Sequence, residues 1–203
     1  MDALKAILAG IAIGIGGVLY LKIGGVIGAL MFSIGLLTVV CYSLRLYTGM
    51  AGFVDKPIEF VNLIVALALN VLGTWLVSLA MSYGTDFETL RTAANGIIQS
   101  RMEGGTPMLN AMLRGIGCGI LMTFAVSQKT WFAVVGAVMA FILAGFYHSI
   151  ADSFYFFMGG MDMEYLKYWG MVVLGNFIGC NISEYRILQI GGHSRGSNNF
   201  DFI

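Results

Sequence analysis

Long apolar stretches, interrupted by single charges, run along most of the chain. A helix needs about 20 apolar residues to cross the roughly 30 Å hydrocarbon core of a bilayer. Once the two stretches on either side of Arg114 are joined, the pattern predicts six such helices, at residues 3–21, 24–43, 60–83, 107–125, 131–150 and 166–187. The chain is therefore predicted to be an all-α integral membrane protein, with residues 1–190 as a single transmembrane domain.

Two segments are more polar than the rest. Residues 84–106 carry several charges, and their middle, residues 87–102, is predicted to form a surface helix. Residues 191–203 are rich in glycine, serine and asparagine, which is typical of a disordered polar tail. His193 lies in this tail and is given no role.

The second and fifth predicted helices both run into irregular apolar segments, at residues 44–52 and 145–153. Irregular backbone at membrane depth is tolerated only where protein or a water-filled cavity satisfies its polar groups. Matching interruptions in two halves of a membrane protein indicate a transport site between inverted repeats. The six helices then divide into three plus three, with the second and fifth broken.

Composition supports the membrane assignment. The 203 residues are 58% hydrophobic and only 11% charged, whereas a soluble domain carries roughly 25% charged residues. The net charge of +0 gives no basic field for nucleic acid. The three cysteines lie in apolar stretches, which favours packing over a metal site or disulfides. No GxxxxGK[ST], HExxH, CxxC or GxSxG motif occurs, so neither an enzyme nor a cofactor is predicted.

Five polar side chains near the centres or ends of the spans are candidates for function. His148 lies in an apolar stretch and belongs to the residue type whose charge changes near neutral pH. It is either a functional group or a neutral histidine satisfied by a backbone carbonyl. Asn70 and Asn176 occupy equivalent places in the two halves, and bridging helices is favoured over contact with an ion. Arg45 and Arg114 are either anchors at span ends or part of a field that attracts anions.

Several motifs resemble those of the formate/nitrite transporters, a family that includes formate, nitrite and hydrosulfide channels. FSIGL at residues 32–36 is similar to the family's Phe-Ser-Leu-Gly-Leu, and LYT at 46–48 to its Leu-Phe-Thr. RGIGCG at 114–119 matches Arg-Gly-Ile-Leu-Cys-Asn in part. GFYHSIAD at 145–152 and LGNFIGC at 174–180 are close to Gly-Phe-Glu-His-Ser-Ile-Ala-Asn and Leu-Gly-Asn-Ile-Ile-Gly-Gly.

The resemblance implies an aquaporin-like protomer of two inverted three-helix repeats, assembled as a homopentamer in a bacterial inner membrane. It implies one pore per protomer, with His148 as the central histidine and Thr48 as its partner. Asn70 and Asn176 are implied to line or brace the pore. The resemblance also implies that Leu36 and Phe141 form the apolar constrictions of the pore, with Phe32 beside them. Without the resemblance, all three residues would be assigned to the core.

The chain also departs from the family pattern. Tyr147 replaces a glutamate, Asp152 an asparagine, and Arg45 an acidic residue. The family's lysine before the fourth helix has no aligned lysine, and Arg101 is the nearest cation. These four residues are candidate modulators of which anion passes.

The resulting hypothesis is a channel or proton-coupled transporter for a small monovalent weak-acid anion, with formate first and nitrite or hydrosulfide next. Its partners are small anions, protons and the lipid bilayer. One alternative is a non-transporting membrane subunit or sensor that keeps the fold. Another is a neutral-solute pore, which the absence of Asn-Pro-Ala in either half disfavours.

Overall fold

A computed structural model describes the backbone of residues 2–128, 130–160 and 162–191, and side chains as far as residue 183. Within these residues the chain is entirely helical. The nine helices are α1 Ala3–Ile23, α2 Gly25–Cys41, α3 Tyr47–Met50, α4 Pro57–Ser82, α5 Phe87–Met102, α6 Pro107–Gln128, α7 Trp131–Leu143, α8 Ser149–Gly159 and α9 Met163–Gly191. Of the predicted polar tail, residues 191–203, Gly191 ends α9, and residues 192–203, with His193, lie outside the described residues.

Local signals explain where several helices begin. The carboxylate of Asp2 accepts a hydrogen bond from the backbone N–H of Lys5 at 3.3 Å and so caps α1. Pro57 occupies the first turn of α4, where a backbone N–H has no partner within the helix. The N–H that proline lacks therefore costs no helical hydrogen bond. The Thr130 hydroxyl accepts from the N–H of Ala133 at 3.3 Å at the start of α7.

Two closely packed helix pairs organise the molecule, α1 against α4 and α6 against α9. A Cβ atom on Gly10 of α1 would collide with the backbone oxygen of Asn70 on α4. A Cβ atom on Gly179 of α9 would collide with the backbone oxygen of Ile116 on α6. Glycine at these positions therefore allows close helix approach in both pairs.

Both broken helices end in the same hydrogen-bond arrangement. After α2 the N–H of Leu44 donates to the carbonyl of Val39 at 2.8 Å, and after α7 the N–H of Phe146 donates to that of Phe141 at 2.8 Å. A bond from the N–H of the sixth residue of a segment to the carbonyl of its first residue is typical of the Schellman helix ending. The segments that follow, residues 42–46 and 144–148, are named the first break and the second break.

The left-handed residue that this ending requires differs between the breaks. Ser43 has φ 49° in the first break and Gly145 has φ 70° in the second. The predicted helix bounds 24–43 and 131–150 are therefore wrong at their C-terminal ends. Hydrophobic pattern alone does not show the stop, because apolar residues continue through both breaks.

Among the residues that the structure describes, three helices, α1, α4 and α6, are long and apolar enough to cross a membrane by length and composition. The apolar helices α2 and α7 are shorter, and each continues after its break as α3 or α8. Six complete spans in two inverted repeats stay a prediction.

Helix α5 has the predicted bounds, but it is not free on the surface. Leu90 and Ala94 are fully buried, and the helix packs along α8. An ion pair between Lys22 and Asp86 ties the turn before α5 to the end of α1.

Candidate functional site

The first break is held by one buried amide. The side-chain oxygen of Asn70 accepts from the N–H of Tyr47 at 2.8 Å. Its NH₂ group donates to the carbonyl of Arg45 at 2.8 Å and to that of Ala6 at 2.7 Å. One side chain of α4 thus satisfies backbone groups on both sides of Leu46, where the break ends, and attaches the break to α1.

The second break is held in the same way. The side-chain oxygen of Asn176 accepts from the N–H of Ser149 at 2.9 Å. Its NH₂ group donates to the carbonyls of Tyr147 and Gly115, each at 2.9 Å. Because a buried amide must find partners, these bonds favour bracing over ion contact for Asn70 and Asn176 alike.

A polar contact joins the two breaks at the centre of the protein. Nε2 of His148 lies 3.0 Å from the hydroxyl oxygen of Thr48, and both side chains are buried. Nδ1 of the same ring accepts from the N–H of Ala151 at 3.2 Å and caps α8. Since the accepting nitrogen carries no hydrogen, a neutral ring must carry its hydrogen on Nε2, which then donates to Thr48.

Aromatic rings cover one side of this contact. The ring of Phe141 stacks on that of His148 with centroids 5.7 Å apart. Phe32 meets Phe141 edge-on at 5.9 Å. Both phenylalanines are buried, so apolar rings cover His148 on this side.

A small apolar cavity adjoins Thr48. Its volume is about 60 Å³, room for a few water molecules. The side chains that line it are apolar apart from that of Thr48, and they include Leu36, Val39, Leu46, Met122 and Val126. The predicted constriction residue Leu36 therefore lines this cavity together with Thr48.

A buried ion pair follows His148 on α8. The guanidinium of Arg101, from the end of α5, donates to the carboxylate of Asp152. The Asp152 side chain is 1% exposed and that of Arg101 15%. The guanidinium lies over the rings of Tyr147 at 4.4 Å and Tyr155 at 5.5 Å, within the range of cation–π attraction.

The two other candidate arginines differ in their roles. Arg114 donates to the carbonyl of Gly145 at 2.8 Å and lies 5.4 Å from the Tyr147 ring centre, so it supports the second break. Arg45 has an exposed side chain, and the first break uses only its backbone. Of the four predicted modulators, Tyr147, Arg101 and Asp152 come together and Arg45 stands apart.

The formate/nitrite transporter family model matches residues 3–182. The chain belongs to the formate/nitrite transporter family. As a member, it is an integral membrane protein of a family of transporters and channels for small anions, a class distinct from enzymes. Among curated protein sequences, none matches the chain.

Solved structures show the same fold. A pentameric formate channel with formate bound superposes with a TM-score of 0.77 at 24% identity, covering 94% of this chain and 96% of the other. An ion channel of the same family superposes with a TM-score of 0.76 at 19% identity, covering 94% and 88%. The recognition of the family and of the all-helical channel fold is confirmed.

Sequence reasoning missed several side chains around the site of this family member. Trp169 donates to the carbonyl of Ser149 at 2.7 Å, and the hydroxyls of Thr74 and Ser153 lie 2.9 Å apart. Tyr165 and Tyr168 stack at 5.2 Å near the ion pair. The three-residue spacing of these tyrosines on a helix was the one available signal that they share a face.

Proposed function

We propose that the protein is a channel or proton-coupled transporter for a small monovalent weak-acid anion, with formate first and nitrite or hydrosulfide next. The observation that carries this proposal is the buried contact between His148 and Thr48, with phenylalanine rings on one side and an apolar cavity on the other. Family membership supports the anion class, and the choice of formate follows the resemblance.

The physical argument starts from the cost of charge. An ionised group at the centre of a bilayer costs at least about 2.5 kcal/mol. A weak-acid anion avoids that cost by accepting a proton or a strong hydrogen bond before it passes the apolar rings. The Nε2–H of His148 is the donor suited to this step, because Nδ1 is already engaged by the N–H of Ala151.

Assembly is part of the proposal. The solved formate channel is a pentamer, and we extend that arrangement to this chain, with one pathway in each protomer. Large exposed apolar side chains on α2 and α4, such as Ile27 and Ile58, suit contact with lipid or with neighbouring protomers. A bacterial inner membrane is the location that the family resemblance favours.

The test is flux into liposomes that contain the purified protein, with formate, nitrite and hydrosulfide compared across external pH. His148→Asn is the informative variant, because asparagine also caps helices and should preserve the start of α8. We expect selective flux in the wild type, and in the variant either a loss of flux or a loss of its pH dependence. His193→Asn, which changes the other histidine of the chain, is the matched control.

Wild-type flux and pH response in His148→Asn would contradict the pathway through His148. No flux of any of the three anions through folded, pentameric protein would favour a non-transporting subunit or sensor. Water swelling without anion flux would favour a neutral-solute pore.

A further inference from the structure

The ion pair of Arg101 and Asp152 is the largest concentration of buried charge near the candidate pathway. His148 and Asp152 are four residues apart on α8, and the N–H of Asp152 donates to the carbonyl of His148 at 2.9 Å. They are therefore about one helical turn, roughly 6 Å, apart along the axis. Arg101 is partly exposed, so the pair connects the neighbourhood of His148 to solvent on the α5 side.

Polar atoms around the pair are incompletely satisfied. One carboxylate oxygen of Asp152 bonds Arg101, while Oδ2 has no hydrogen-bond partner among the residues the structure describes. The hydroxyls of Ser149 and Tyr168, also buried, are unpartnered in the same sense. Buried polar groups without partners are rare and usually mark bound water, an ion or a functional site.

The groups that face the pair come from the second break and from α8, α9 and α6. Tyr147 and Tyr155 present their ring faces from the second break and α8. Tyr165 and Tyr168 approach from α9, and Cys118 is the titratable neighbour on α6. Tyr20 of α1 lies beside Tyr155, the Thr74 hydroxyl of α4 meets Ser153, and Arg114 lies over the Tyr147 ring rather than at the carboxylate.

Within the described residues, Asp152 is thus the one carboxylate that balances Arg101. While Asp152 is ionised it offsets the charge of Arg101, so an incoming anion gains the full attraction of the guanidinium only by taking the place of this carboxylate. Two anions beside one guanidinium in a buried place repel each other, so the exchange requires that Asp152 first become neutral. The tyrosine rings hold the guanidinium in position while the carboxylate is away from it.

We propose that Arg101 and Asp152 form a proton-loaded anion site. Asp152 accepts one proton from solvent and releases Arg101, and the anion takes its place on the guanidinium. The neutral carboxyl of Asp152 then returns the proton to the anion, and the neutral acid moves toward Phe141 and His148. The carboxylate closes again on Arg101, so each cycle converts one anion and one proton into one molecule of weak acid.

This inference rests on the proposed function and adds a chemical requirement to it. Anion binding must take up one proton, so its affinity should rise about tenfold for each unit of falling pH while Asp152 is charged in the empty protein. In Asp152→Asn the side chain is neutral at every pH. Formate should then bind Arg101 with little pH dependence.

The experiment is calorimetric titration of the detergent-solubilised full-length pentamer with sodium formate at several pH values, together with formate flux in liposomes. We expect the steep pH slope in the wild type, a flat slope with tight binding at neutral pH in Asp152→Asn, and no binding in Arg101→Gln. Asp86→Asn and Arg91→Gln make the same chemical changes at exposed ion pairs nearby and should keep the wild-type slope.

A wild-type slope in Asp152→Asn overturns the inference, as does wild-type affinity in Arg101→Gln. Arg101→Lys, which keeps the charge, should recover binding in part and guards against a simple folding defect in Arg101→Gln. If the wild type conducts formate but Asp152→Asn keeps its pH slope, this inference alone fails. If folded wild type neither binds nor conducts formate, the proposed function fails as well.

Discussion

The two breaks share a backbone frame and differ in chemistry. Each follows a Schellman helix ending, and each is held by an asparagine that bonds one N–H and two carbonyls. The residues before the resumed helices, Leu46 and His148, have nearly the same conformation, with φ −96° and ψ 134° against φ −106° and ψ 114°. Yet one is an apolar wall of the cavity and the other is the histidine that contacts Thr48.

This difference separates what the fold requires from what function requires. The frame needs an amide at Asn70 and Asn176 because backbone polar groups inside a membrane protein must be satisfied. It does not need a particular side chain at Leu46, and at His148 it needs only a side chain that can cap α8. Chemistry can therefore differ between the halves, and within the described residues the buried ion pair of Arg101 and Asp152 lies beside the second break only.

The largest expected effect tests whether the two frames are equivalent. Asn70→Ala and Asn176→Ala each leave one N–H and two carbonyls without their partner, which should lower the free energy of unfolding by about 2 kcal/mol or more. Thermal unfolding in detergent should show similar losses for both. Asn181→Ala, which removes bonds to Ala51 and Phe177 only, is the control and should lose less. A wild-type Tm in either variant would show that its break does not depend on the amide.

A somewhat smaller effect should distinguish the helix endings. Gly145→Ala places a side chain at φ 70° and against the guanidinium of Arg114, 2.6 Å from the new Cβ, which should cost about 2 kcal/mol. Ser43→Gly relieves the strained φ 49° and should stabilise by about 0.5 kcal/mol after the added chain entropy. Denaturant titration of both variants checks the opposite signs. Changes of the same sign would mean that the endings are not alike.

An effect smaller than the loss at Gly145 concerns the contact between Thr48 of α3 and the second break. Thr48→Val keeps the shape but removes the hydroxyl that Nε2 of His148 meets, and anion flux in liposomes should fall about tenfold, equivalent to about 1.4 kcal/mol. Thr48→Ser should retain most of the flux. Thr38→Val, on the same broken helix but bonded only to the carbonyl of Ile34, is the matched control. Equal flux in Thr48→Val and wild type would remove the hydroxyl from the mechanism.

The sequence predicted the membrane class, the approximate spans and the existence of both breaks. The residues at which the helices end before the breaks were less predictable. Gly145 is a residue that often ends helices, but Ser43 adopts the same left-handed conformation without that signal. The predicted fifth helix extended to residue 150, because apolar residues continue through the second break. The hydrophobic pattern therefore does not show that α7 ends at Leu143 and that α8 begins at Ser149.

The candidate site also has parts that the sequence predicted and parts that it did not. Motifs within short segments, such as HSIA around His148, led to the contact with Thr48 through resemblance. The bond between Arg101 and Asp152 joins residues 51 positions apart, and no local pattern encodes a contact of that separation. The role of Arg114 at Gly145 was hidden for the same reason, since it depends on how α6 meets the second break.

Helix α5 belongs to neither of the two repeated frames, although it supplies Arg101. On the proposed function, substitutions in the connecting residues 84–106 alter the charge that meets an approaching anion while both asparagine frames stay intact. The connector would then be a place where preference for a solute diverges during evolution without redesign of the scaffold, and its exchange between relatives would be a direct route to engineered selectivity.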